Sequence, residues 1–235
     1  MQHTNIEWVI NPDGSRGYTS NPVKGKCLHG CPYCYAEQIR KHYKWPEKMS
    51  YHIEELDEIE KLKKRSTIFV GSMHDIFGEW VPQVVIDNIA MLANYCPHTL
   101  LFLTKNPTRY LTVIDGYLHK SMWLGVTMTY DNSKLQGEIR DLYHFYQSQV
   151  NVYVSFEPLL GEIGHLPLCD WAIIGCLNRN GRPVSPDRGG TKKEWVLNLI
   201  EALDNAQVPI FIKDALYRLY PDLPQRRELS YLRKK

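Results

Sequence analysis

The chain has 235 residues, 43% hydrophobic and 23% charged, with a formal net charge of +2. These values fit an ordinary globular protein, and so mild a basicity does not by itself argue for a nucleic-acid partner. No apolar run is long enough to span a membrane. The start, Met1-Gln-His-Thr-Asn-Ile-Glu-Trp8, has neither the basic head nor the apolar core of a signal peptide. The expectation is a cytoplasmic protein whose cysteines stay reduced.

The elements follow a regular alternation. A strand is expected just before Cys27, then a cysteine-rich loop, then a helix over Tyr35 to Tyr43. Glu54 to Lys64 mixes charge signs and reads as a solvated helix face. Thr67-Ile-Phe-Val-Gly71 predicts a strand and Val81 to Tyr95 an amphipathic helix. Thr99 to Thr104 predicts the next strand, followed by a short helix from Pro107 to Asp115. Met122 to Thr127 is a further strand, with a helix over Ser133 to Ser148. Asn151 to Ser155 and Trp171 to Gly175 read as two strands with no helix between them. A helix over Lys192 to Asn205 and a strand over Val208 to Ile212 close the series.

These strand runs are almost continuously apolar, as strands buried on both faces are. Strand–helix alternation argues for a parallel sheet with right-handed crossovers. Six or seven strands are too few for a closed eight-stranded barrel, which needs ~250 residues. The expected fold class is therefore α/β, a partial, open TIM-like barrel of mostly parallel strands, with a flat doubly wound sheet as the competing layout. No repeat, low-complexity tract or linker divides the chain, so residues 1–235 read as a single domain. Its basic tail, residues 222–235, is solubilising or phosphate-contacting.

Each predicted strand ends on polar, small or ionisable residues: Ser72, His74 and Asp75; Lys105; Thr127; Ser155 and Glu157; Gly175, Cys176 and Asn178. Ligands of parallel α/β proteins bind at these carboxyl ends. The cysteine loop, between the first strand and its helix, belongs to the same rim. There Cys27, Cys31 and Cys34 stand at C-x3-C-x2-C spacing, with Tyr33 before the last. A closed zinc site takes four N/S ligands and a simple iron–sulfur carrier four cysteines. Three thiolates imply a metal site with one open position; a zinc knot completed by His29 or a distant residue is the alternative. Cys96 and Cys169 read as small buried side chains.

The loop and the alternation together resemble the radical S-adenosylmethionine (SAM) superfamily. Ile68 to Asp75, Phe102 to Arg109, Trp123 to Thr127, Val154 to Leu160 and Asp170 to Gly175 resemble, within it, a phage- and bacterium-encoded branch distantly similar to spore photoproduct lyase. The resemblance implies an enzyme of this superfamily. Cys27, Cys31 and Cys34 would hold three irons of a [4Fe-4S] cluster, and SAM would chelate the fourth. Reductive cleavage of SAM would give a 5′-deoxyadenosyl radical that abstracts hydrogen from a substrate, with the protein orienting both and excluding water. Tyr33 would pack beside the cluster, Ser72 meet the SAM amino group, and Lys105 pair with its carboxylate unless it is a solvated loop lysine. Thr127 and Ser155 would reach the ribose, Glu157 the ribose or substrate, and Gly175 would admit the adenine. Cys176 would return a hydrogen atom, or be a buried structural thiol. His74 and Asp75 cap a helix or bind substrate, and residues 179–190 form a lid, a phosphate-contacting loop or a plain connection.

The chain departs from the superfamily at two places. Many members carry Gly-Gly-Glu where this one has Gly71-Ser72-Met73, and relatives carry Gly-Gly-Glu-Ser where it has Gly175-Cys176-Leu177-Asn178. Substrate handling is expected to differ accordingly. The implied partners are a flavodoxin- or ferredoxin-like one-electron donor and a nucleic-acid base or nucleotide as substrate. A peptide- or small-molecule-modifying enzyme, or a non-catalytic iron–sulfur or zinc scaffold, is the alternative.

Overall fold

The computed structural model describes residues 1–112, 119–146 and 149–232. The strands are β1 (Gln2–His3), β2 (Tyr18–Ser20), β3 (Val23–Lys24), β4 (Ser50–Tyr51), β5 (Thr67–Val70), β6 (Thr99–Thr104), β7 (Met122–Thr127), β8 (Asn151–Phe156), β9 (Trp171–Ile174), β10 (Asn178–Arg179), β11 (Arg182–Pro183) and β12 (Ile210–Ile212). The helices are α1 (Tyr35–His42), α2 (Glu54–Glu60), α3 (Gln83–Tyr95), α4 (Ser133–Phe145), α5 (Lys193–Asn205) and α6 (Asp214–Leu219). Eight strands form a mostly parallel sheet in the order β1-β2-β5-β6-β7-β8-β9-β12.

Contacts divide the chain into two compact units. The first is built mainly on Met1–Leu124, the second on Gly125–Tyr146 and Asn151–Lys235, so β7 contributes residues to each. In the first unit β2 pairs in parallel with β5, and β5 with β6. The short β1 adds an antiparallel edge. All four residues of β5 are buried, which explains why its sequence shows no polar alternation. Helix α3 buries Val85, Ile86, Ile89, Ala90 and Ala93, the i, i+3, i+4 stripe of an amphipathic helix. It ends at Cys96, held extended before Pro97.

In the second unit β8 pairs in parallel with β9, and β9 with β12. All of β8 and β9 is buried. Asn132 caps α4 by accepting the Leu135 N–H at 3.1 Å, and α5 turns Val196, Leu199, Ile200 and Leu203 inward.

Four expectations change. The main sheet has eight strands where six or seven were expected, because the short antiparallel β1 adds an edge. The glycine-rich stretch after β9 is no plain loop, because β10 and β11 form a hairpin across Asn180-Gly181. Both turn residues have positive φ, 49° and 74°, the backbone that such two-residue turns require. The tail is not a free solubilising segment as far as Leu232. Arg227 bridges Phe211, the Ile212 N–H donates to the Arg226 carbonyl, and Trp171 Nε1 donates to the Glu228 carbonyl. These bonds cover the edge of β12 that would otherwise stay open. The predicted helix after Pro107 is a 3-10 turn, Pro107–Thr112; its predicted end to Asp115, the end of the next helix at residues 147–148, and tail residues 233–235 lie outside the described residues.

Candidate functional site

In the first unit the chain leaves β2 at Asn21, forms β3 and reaches Gly25. There φ is +109°, and a Cβ would meet the Lys48 carbonyl oxygen at 2.7 Å, so only glycine fits. The cysteine loop follows. It ends where the Cys34 sulfur caps α1 by accepting the Glu37 N–H at 3.4 Å. Cys27, Cys31 and Cys34 all border one cleft of about 1120 Å³, together with Asn21, His29 and Ser72. Burial, partly opposed by the His29 and Asp75 backbone N–H groups, pushes the Cys27 thiol above its ordinary value.

Asn21 Oδ1 accepts from Ser72 Oγ at 3.1 Å and from the Met73 N–H at 2.9 Å, while the Tyr35 hydroxyl donates to the Ser72 carbonyl. Ser72 is thereby fixed against both β2 and α1. Lys105 extends its ammonium over the Tyr33 ring, 5.8 Å from the centroid. This brings together two residues that the sequence placed at separate points of the rim.

The loop's main anchor is Asp75. Its Oδ2 accepts from His29 Nε2 at 2.7 Å, the Lys105 N–H at 2.9 Å and Thr104 Oγ1 at 3.0 Å. Its Oδ1 accepts the Phe77 N–H at 3.0 Å. Burial alone would raise this carboxyl, but the bonds from His29, Lys105 and Thr104 hold it below the usual range. His29 also packs edge-on against Trp80. Trp80 Nε1 in turn donates to His74 Nε2 at 2.8 Å, which requires an imidazole with an unprotonated Nε2. Burial keeps His74 below its ordinary value. His74 and Asp75 are thus part of the scaffold under the cysteine loop.

In the second unit Thr127, Ser155 and Cys176 are buried, Cys176 to 1% exposure. Burial, with the Glu157 charge adding, pushes the Cys176 thiol up to about 11. The sulfur lies 3.8 Å from Asn178 Oδ1. Glu157 Oε1 pairs with Lys213 Nζ at 2.5 Å. A Cβ at Gly175 would meet the Glu157 side chain at 2.8–2.9 Å, so the space freed by this glycine is taken by Glu157. Thr191, fully buried, donates to the Leu159 carbonyl at 2.7 Å and accepts the Leu177 N–H at 3.2 Å.

Lys213 was missed in the sequence, although the rule that located Lys105 applies to it: it follows β12 directly. Asn21, directly after β2, was missed in the same way. The His29–Asp75 pair had no local signal, since 46 residues separate its members.

Three thiols on one cleft form a soft donor set, of the kind that holds zinc or an iron–sulfur cluster. They are not drawn together in advance: among the described residues no three His, Cys, Asp or Glu side chains are gathered closely enough to hold a metal ion. Nor, among the described residues, is any helix long and apolar enough to cross a membrane.

Fold and cleft define an α/β protein with a mostly parallel sheet and a cysteine-bordered cleft beside its first strands. The chain belongs to the family described as "Protein of unknown function (DUF5131)", whose model matches residues 3–217. No curated protein matches it. Among solved structures it is similar to a spore photoproduct lyase mutant with bound AdoMet and dinucleoside spore photoproduct. That match has 13% identity and a TM-score of 0.50, over 97% of this chain and 66% of that one. A second mutant of the lyase matches at 11% identity and a TM-score of 0.50, over 96% of this chain and 65% of that one. The chain therefore spans just under two thirds of these solved chains, and at such identity the likeness is one of fold.

Proposed function

We propose that the chain is a radical SAM enzyme of the phage- and bacterium-encoded branch, a single partial β/α barrel acting in the cytosol. One observation carries this reading: the three thiols of Cys27-x3-Cys31-x2-Cys34 border the same cleft as Ser72, which follows β5. A fold similar to that of an enzyme solved with AdoMet bound supports it.

In this reading Cys27, Cys31 and Cys34 hold a [4Fe-4S] cluster and Tyr33 packs beside it. The cluster, when bound, supplies the electron that cleaves SAM to the 5′-deoxyadenosyl radical. Ser72, held by Asn21, meets the SAM amino group, and Lys105 its carboxylate. Thr127, Ser155, Glu157 and Gly175 are assigned to the nucleoside or the substrate from their positions at strand ends. Glu157 keeps a charged partner in Lys213 and exposes a quarter of its side chain, so it retains acceptor capacity. Cys176 is assigned the return of a hydrogen atom. That role needs an intact S–H, and a thiol raised to about 11 keeps it at neutral pH.

The substrate assigned is a nucleic-acid base or nucleotide, in line with the dinucleoside ligand of the similar structure. The electron donor assigned is flavodoxin- or ferredoxin-like. The test is anaerobic reconstitution with iron and sulfide, then SAM and dithionite, with 5′-deoxyadenosine as the readout. Cys31→Ala is expected to abolish both the cluster absorbance and the cleavage. A cluster-loaded wild-type protein that leaves SAM intact would sink the reading.

A further inference from the structure

We propose that Asp75 and His29 are positioning residues that register the cysteine loop against the carboxyl ends of β5 and β6. The inference rests on the cluster reading above but is carried by different atoms. Asp75 lies five residues past β5, and its side chain is 9% exposed. One oxygen, Oδ2, receives His29 of the loop, Thr104 at the end of β6, and the backbone N–H of Lys105. The second oxygen binds the Phe77 N–H within its own turn. A carboxylate accepts only, so Nε2 of His29 carries the proton of this bond. The other face of the ring contact is fixed as well, by the edge-on packing against Trp80.

His29 sits midway between Cys27 and Cys31, so its tether restrains the backbone on which two of the three thiols ride. The same oxygen restrains the backbone from which Lys105 departs. Asp75 therefore fixes two proposed contacts in one register, the metal-binding loop and the lysine at the next strand end. His29 fixes only the first. Ligand geometry of this kind depends on supporting hydrogen bonds as well as on the ligands themselves. A histidine inside a cysteine motif invites assignment as a fourth ligand; here its Nε2 is already committed to the mostly buried Asp75 carboxylate.

The experiment uses the full chain as wild type, His29→Ala, His29→Gln, Asp75→Asn and the double variant H29A/D75N. After reconstitution, iron and sulfide content and the rate of iron loss to a chelator are measured. In parallel, hydrogen exchange of residues 27–34 is followed in the metal-free chain. His29→Ala is expected to speed iron loss ~10-fold or more, the loss of a charge-assisted hydrogen bond, and to raise exchange across the loop. His29→Gln, which can still donate to Asp75, should recover most of both. Asp75→Asn should weaken iron retention and also SAM binding, and the double variant should retain iron no worse than the poorer single one.

Wild-type iron retention in His29→Ala, failure of glutamine to rescue, or additive losses in the double variant would overturn the inference. If Asp75→Asn does not fold, the His29 pair of variants still decides. If wild type takes up no iron, the cluster reading fails. The exchange data then decide this inference alone: faster loop exchange in His29→Ala, reversed in His29→Gln, supports it, and an unchanged loop rejects it.

Discussion

Two carboxylates, one in each unit, stand just past the strands that precede them and are held in opposite ways. Asp75 is 9% exposed and takes four hydrogen bonds, from His29, Thr104, Lys105 and Phe77. Glu157 is 25% exposed and pairs with Lys213. Asp75 spends its lone pairs on the scaffold, so it builds a site without being free to act in one. Glu157 balances its charge with one flexible cation and keeps part of its surface open. Proximity to a strand end selects both residues, and only their hydrogen-bond inventories separate the builder from the candidate ligand.

The comparison breaks first on Asp75→Ala. Four donors lose their acceptor at a mostly buried position, and each unsatisfied group costs up to about 1–3 kcal/mol. With partial relaxation, a loss of about 3–5 kcal/mol is expected in urea unfolding, the range for breaking a buried charged network. A loss under about 1 kcal/mol would mean that Asp75 is no more embedded than Glu157.

Next comes the alkaline limb of the second unit. Cys176 is raised from an ordinary thiol value of 9.0 to about 11. Between those values the unfolded chain gives up a proton that the folded chain keeps. Stability is thus fully present below about pH 9 and falls as pH rises through 11. The gap amounts to up to about 3 kcal/mol. Wild type should lose more stability than Cys176→Ala between pH 8 and pH 11, read from urea midpoints. Parallel curves would show that the thiol is not desolvated. Cys169, raised by burial to about 12, stays in both proteins and cancels.

Much of the fold was legible because its signals are local. The runs at Thr99–Thr104 and Met122–Thr127 coincide with the observed strands, since strands buried on both faces must be apolar throughout. The hairpin at Asn178 to Pro183 also carried a local signal, Asn180-Gly181, that was missed in the sequence. The covering of β12 by residues 226–228 could not be read, because a basic segment gives no sign that its backbone will pair with a distant edge. The candidate site divides likewise. The three cysteines announce themselves by spacing, whereas the role of His29 depends on a partner 46 residues away. Gly175 was expected to admit the adenine; the group that its missing Cβ makes room for is Glu157, which sequence alone could not say.

Thr191→Val is the smaller test of the second unit's scaffold. It removes one hydroxyl that joins the Leu159 carbonyl to the Leu177 N–H. About 2 kcal/mol should be lost, or about 4–8 °C in Tm for a chain of this size. A neutral result would mean that water or the backbone replaces the bridge.

The smallest stability effects, and the sharpest functional contrast, are expected at Glu157 itself. Glu157→Gln removes an ion pair with partly exposed members, which is worth about 0–1 kcal/mol. Gly175→Ala places a methyl group 2.8–2.9 Å from atoms of the Glu157 side chain. Those atoms, Cγ, Cδ and Oε1, all belong to a flexible, partly exposed side chain, so Glu157 can change rotamer instead of straining the backbone. Both variants should therefore melt within a few degrees of wild type. If Glu157 is a ligand, both should nonetheless lose SAM-dependent turnover by ~10-fold or more, the worth of a charged hydrogen bond at a site. Should Gly175→Ala instead unfold as readily as Asp75→Ala, Glu157 would be locked in place. The two carboxylates would then differ only in which unit they stabilise.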